Sequence, residues 1–95
     1  MIGTSITFKN HPTPTGGLET FTIDDCMVAN NGSPNAMRPQ ILIHLPKVDT
    51  HEVEGSFVSY DGEDWHIIGR TVPQMDGNTP TRWNRYAIAE RIRIL

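Results

Sequence analysis

Asp61-Gly62 lies between two runs rich in apolar residues, Ser56-Phe57-Val58-Ser59-Tyr60 and Asp64-Trp65-His66-Ile67-Ile68-Gly69, and this stretch constrains the fold more than any other. A tight two-residue turn needs positive φ, which Gly and Asp tolerate, so the pattern predicts a β-hairpin. Val58 and Tyr60 share one face and Phe57 takes the other. On the return strand Trp65 and Ile67 point one way, His66 and Ile68 the other. Large side chains on both faces predict that the hairpin meets the core on one side and a second surface on the other. A loop over 71–82, carrying Asn78-Thr79-Pro80-Thr81, leads to Trp83. The last strand is expected over Tyr86–Ile94. Tyr86, Ile88, Ile92 and Ile94 would form its apolar face, interrupted by Glu90, with Ala87, Ala89, Arg91 and Arg93 opposite. The two-residue alternation and the isoleucines favour a strand over a helix here.

Upstream, Ser5–Lys9 alternates, with Ile6 and Phe8 on one face, and reads as a short first strand. Asn10–Gly17 holds Pro12, Pro14 and two glycines and reads as a loop, since proline donates no backbone hydrogen bond. Glu19–Ala29 is the second strand region, with a bend or bulge at Asp24-Asp25. Residues 30–40 are polar and aperiodic, a long loop of the functional or mobile kind. Gln40–Leu45 is the third strand, stopped by Pro46. Lys47–Glu54 is a polar connection to the hairpin. Strands, turns and no stretch of 3.6-residue periodicity predict an all-β fold: a small six-stranded β-barrel or rolled sheet with long loops. Closing the sheet hides edges that would otherwise invite aggregation.

With 95 residues the chain reads as one domain, residues 1–95, with a flexible start at 1–4. A domain this small has a thin core, which makes help from neighbouring subunits plausible. A net charge of −3 argues against a dedicated nucleic-acid binder. The one cysteine, Cys26, excludes an internal disulfide framework and a multi-cysteine metal site. The first residues show no signal-peptide pattern and no apolar run is long enough to span a bilayer, so a cytoplasmic origin is expected.

Four histidines, His11, His44, His51 and His66, have no recognised ligand spacing and read as scattered strand or surface residues, so no metal or other cofactor is expected. Cys26 reads as a small buried residue rather than a nucleophile. Asp24-Asp25 and Asp61/Glu63/Asp64 read as solvated acids, because adjacent acids on a strand point to opposite faces. No phosphate-cradling loop or nucleophile elbow is present, and the chain is not expected to be an enzyme.

Charge is segregated along the chain. Asp49, Glu52, Glu54, Asp61, Glu63 and Asp64 form a stretch without Lys or Arg, and Arg70, Arg82, Arg85, Arg91 and Arg93 follow it. Pairing within one chain is one reading. The other is that the acidic rim of one subunit meets the arginines of the next, as a closed ring of heterologous contacts requires. Trp83 beside Asn84 and Arg85 is either core packing or an aromatic interface anchor.

Thr20-Phe21-Thr22-Ile23-Asp24-Asp25-Cys26-Met27-Val28-Ala29, followed by an Asn/Ser/Gly/Pro loop, resembles the early part of phage head-to-tail stopper proteins. There a strand ending near C-x-V-A-P precedes a variable loop; Asn30 stands here in the place of that proline. Ile41–Lys47 and the hairpin Ser56–Gly69 are similar to the core of the same family. Asn78–Arg85 resembles its Trp-bearing loop before the final strand. The resemblance implies a structural virion protein at the head–tail interface, made in the host cytoplasm. Six or twelve copies would form a ring, with a portal or adaptor ring above and a tail terminator or tail tube below. Double-stranded DNA would pass without sequence-specific binding, and no membrane would be involved. Candidate subunit or partner contacts are Arg70, Arg82, Trp83, Asn84, Arg85, Glu63 and Asp64. Candidate gating or docking residues are Asn31, Gly32, Asn35 and Met37 in one loop, Asp76 and Asn78 in the other. On this reading Trp83→Ala or Arg85→Glu blocks head–tail joining and leaves the monomer folded. A second class of function is a small SH3- or OB-type binding module for a peptide or single-stranded nucleic acid. It would use Tyr60, Trp65, Trp83 and Tyr86 as an aromatic cluster.

Overall fold

The computed structural model describes residues 3–31, 39–73 and 83–92. The regular structure of these residues is entirely β: β1 Thr4–Pro12, β2 Leu18–Asn31, β3 Gln40–Pro46, β4 Phe57–Tyr60, β5 Glu63–Pro73 and β6 Trp83–Arg91. Neighbours run β1-β2-β3-β6-β5-β4, and the sheet closes on itself as a six-stranded barrel. Every neighbouring pair is antiparallel. Antiparallel alternation therefore brings the ends of β1, β3 and β5 to one end of the barrel. Each of the three ends in proline: Pro12, Pro46 and Pro73. A residue with no N–H is best tolerated where the ladder stops.

The hairpin forms where the sequence places it. Asp61 and Gly62 have φ of 53° and 76°, the two positive values that a type I′ turn requires. Its register, Phe57↔His66, Val58↔Trp65 and Ser59↔Asp64, sends Val58 and Trp65 inward. Phe57 and His66 stack on the outside, ring centroids 4.6 Å apart. β2 is long because it serves two partners. Its first part pairs with β1 up to Cys26, and Met27–Asn31 pairs with β3. Asp25, at φ 62°, forms the expected bulge at the changeover.

Several boundaries differ from the sequence reading, among them the start of β6, which is at Trp83 rather than Tyr86. β1 runs on through His11 to Pro12 instead of yielding to a loop at Asn10. Asn10 adopts φ 57° in a bulge, after which the ladder resumes at His11↔Glu19. Asn30 and Asn31 belong to β2, and 71–73 to β5, so strand extends into both stretches that polarity marked as loops. Gly32, Asn35, Met37, Asp76, Asn78 and Arg82 lie outside the described residues, as do Arg93 and Ile94.

The larger correction concerns β6. Its core face is Ala87 and Ala89, both fully buried, and Tyr86, Ile88 and Glu90 face out. The pairing Ile41↔Ala89↔Ile67 supplies the reason. Both flanking isoleucines point inward and are buried, so only a methyl group fits between them in so narrow a barrel. The remaining core comes from Ile6 and Phe8 on β1, Ile23 and Cys26 on β2, and Ile43 and Leu45 on β3. Val53 also enters the core, although it lies on the connection from β3 to β4. That connection crosses one end of the barrel and closes it.

Candidate interaction surface

The crossing segment, 47–56, is held by several hydrogen bonds. Asp49 accepts the N–H of His51 at 2.8 Å, a local turn that also sets the His51 ring 3.0 Å from the same carboxylate. Arg85, from β6, donates to the carbonyl of Asp49 at 2.9 Å, to its carboxylate at 3.2 Å, and to the carbonyl of His51. The planar guanidinium suits this fork of acceptors; a lysine would not reach them together. His51 lies flat on Phe21, 4.4 Å away, and Phe21 stacks on the buried Phe8. Farther along, Glu52 accepts from the backbone N–H and the hydroxyl of Thr71, at 3.0 and 2.9 Å. Burial pushes the Glu52 carboxyl upward, but the Thr71 backbone and side-chain bonds, with the N–H groups of Glu54 and Val53, outweigh it, and the net shift is downward.

Of the residues singled out from the sequence, Trp83 and Arg85 are bound into their own chain. The Trp83 indole donates to the carbonyl of Asp25 at 2.7 Å, tying β6 to the bulge in β2. Asn84 is exposed between them. Neither Trp83→Ala nor Arg85→Glu is therefore expected to leave the monomer unperturbed. Glu63 and Asp64 are exposed just after the hairpin turn, where Asp64 accepts from Ser59 at 3.0 Å. Arg70 is exposed toward the other end of β5, beside the Gly69 bulge. Asn31 is the last residue of β2. The four aromatics of the binding-module reading do not share a face. Trp65 is buried with its indole bonded to the carbonyl of Tyr60, whereas Tyr86 is on the outer wall.

Two nucleophile-type side chains, Ser56 and Cys26, are sealed in. Ser56 is fully buried against His11, 3.0 Å from its ring. Cys26 is fully buried, and burial first, then Asp49, Asp25 and Asp24, push its thiol up to about 12. Because the folded thiol titrates above the unfolded one, its stabilising effect is complete below pH 9 and is lost as pH rises toward 12. Chemical denaturation at pH 8 and at pH 10.5 should show the wild type losing stability between them and Cys26→Ala losing clearly less. Equal losses would mean that the thiol is not the titrating group. Among the described residues no group of three or more His, Cys, Asp or Glu is placed to hold a metal ion.

The outer wall is uneven. Around β1 and the first half of β2 it carries Ser5, Thr7, Thr20, Thr22 and Asp24, with Ser5 bonded to Asp24 and Thr7 to Thr22. On the opposite side, the ladder sets Ala29, Leu42, Ile88 and Ile68 in one row across four strands. A second row holds Met27, His44, Tyr86 and Val72. All eight are partly exposed. Strand alternation in the sequence already sets His66 and Ile68, Leu42 and His44, and Met27 and Ala29 on faces of their own; the Ile88 side of β6 was expected inside. The Asp49–His51–Arg85 brace was not anticipated, though Asp two residues before His is a local turn signal.

These features define a small closed antiparallel barrel with a braced end and one apolar flank. No protein-family model, no curated protein and no solved structure matches the chain.

Proposed function

We propose that the protein is a structural subunit of a phage neck. It would form a ring below the portal or adaptor that closes the DNA channel after packaging and receives the tail. The observation that carries this reading is the unequal outer wall, in which an apolar flank on β2-β3-β6-β5 backs onto a Ser/Thr-rich flank on β1-β2. A small barrel with such a wall is suited to association, since soluble monomers seldom leave a contiguous apolar face open. The resemblance of 20–29, 41–47 and 56–69 to head-to-tail stoppers supplies the setting. Mild acidity suits a surface past which DNA slides.

The test is genetic and structural. Particles made without the protein should package DNA, lose it, and fail to acquire tails. Imaging of complete particles should place six or twelve copies at the neck. Tailed, DNA-retaining particles formed in its absence would refute the role.

A further inference from the structure

The part of the crossing segment that spans 47–54 covers one end of the barrel without joining the sheet. Among the described residues no strand pairs with it. Lys47, Val48, Thr50, His51 and Glu54 are exposed, and Val53 is the one residue of the eight that enters the core. Two side-chain clasps fasten it. The Arg85 guanidinium grips the Asp49 carboxylate and the carbonyls of Asp49 and His51, and Glu52 takes the N–H and hydroxyl of Thr71. Arg85 is on β6 and Thr71 on β5, so both clasps end on the two strands that bracket the β5–β6 connection. Underneath, His51 is the outermost ring of a stack that continues through Phe21 to Phe8. The residues that follow are anchored differently. The Gly55 N–H bonds to the Ile67 carbonyl at 3.3 Å, and the Ile67 N–H to the Ser56 carbonyl at 2.9 Å. Gly55 itself has φ 84°, a conformation that favours glycine, and a Cβ there would press on the Pro12 ring at 3.3 Å.

We propose that 47–54 is a hinged lid, which swings about Gly55 as one unit and bares this end of the barrel while the six strands stay paired. Side-chain bonds at a half-exposed surface are readily replaced by bonds to water, whereas the ladders cannot part without exposing the core. Withdrawal of Val53 is the one apolar cost of opening. Asp49 and Glu52 lie three residues apart on the same short segment, so release of either clasp loosens the other. A shift of β5 against β6 would strain both at once, which makes the lid responsive to the spacing of those strands. Once open, it uncovers the Phe21 ring and the seat of Val53. The inference does not rest on the proposed place in a phage neck, and its test needs no particle.

Native-state hydrogen exchange of the full chain tests this. Two amides report on the lid: Ser56, whose N–H bonds to the Val53 carbonyl, and Thr71, whose N–H bonds to Glu52. Both should exchange through one shared opening, at least about a hundredfold more frequent than that of the slowest β3 and β6 amides. Low urea should change their rates little, because the opening exposes little surface. Arg85→Lys should speed both by about tenfold, although neither amide touches Arg85. Glu52→Gln, which keeps the side-chain shape, should speed Ser56 by a similar factor of about ten. Ile88→Ser, on the outer wall, should leave Ser56 and Thr71 unchanged, since its surroundings are the same with the lid open or shut. Ser56 and Thr71 amides that exchange only together with the slowest β3 and β6 amides overturn the proposal, because the segment then opens only when the barrel unfolds. Rates at Ser56 and Thr71 that ignore Arg85→Lys overturn it as well, because the two clasps then do not belong to one moving unit.

Discussion

Arg85→Glu should destabilise the isolated monomer by about 2–4 kcal/mol, at the upper end if the crossing segment detaches completely. The guanidinium is 14% exposed and its partner Asp49 18%, so the pair is shielded enough to exceed an ordinary surface ion pair. Removing it leaves the carbonyls of Asp49 and His51 without their donor. Placing a carboxylate there also sets two negative charges side by side. Because segment 47–56 carries Val53 into the core, loss of the brace weakens core packing as well as one loop. In a domain of this size the melting temperature should fall by roughly 10–25 °C. Arg85→Lys should fall between, since one ammonium cannot satisfy three divergent acceptors. Calorimetry of the three proteins decides the matter. An Arg85→Glu melt within about 2 °C of wild type would show that the segment is held by its apolar contacts alone.

Ala89→Leu should be comparably damaging, by about 3 kcal/mol, with outright failure to fold a plausible extreme. Ala89 is fully buried between the inward side chains of Ile41 and Ile67, and a leucine there has no volume to enter without separating β3 from β5. The adjacent Ile88→Ser should cost the monomer under about 1 kcal/mol, since Ile88 is outside and only partly covered. The contrast reads out which face of β6 is the interior. Denaturant unfolding showing Ile88→Ser to be the more harmful of the two would reverse the assignment, and the apolar flank would disappear with it.

β6 shows where sequence patterning stops. Alternation identifies a strand, and Ile88 and Tyr86 are heavier than Ala87 and Ala89, so pattern alone turns the isoleucine face inward. In a flat two-layer sheet that inference would serve. Inside a closed barrel every inward position competes with its neighbours around the ring, and the isoleucines of β3 and β5 already fill the space. Pro12 carries a similar lesson. A proline ends a ladder without forbidding the strand before it, and the bulge at Asn10 let β1 continue where loop composition suggested otherwise. Asp49, His51 and Arg85 are 34 to 36 residues apart across their hydrogen bonds. No local periodicity reports a contact of that range.

Local chemistry alone determined that this chain is built of strands, that Asp61-Gly62 turns one hairpin, that Asp24-Asp25 bends β2, and that the hairpin presents bulk on both faces. These follow from φ preferences and from the two-residue repeat of a strand, which act within a few residues. Only the tertiary structure decided which side of β6 is the inside, that segment 47–56 closes the barrel under the grip of Arg85, and that apolar side chains gather on one outer flank. Those outcomes depend on volume and hydrogen-bond acceptors contributed by strands distant in sequence, and they exist only once the sheet has closed.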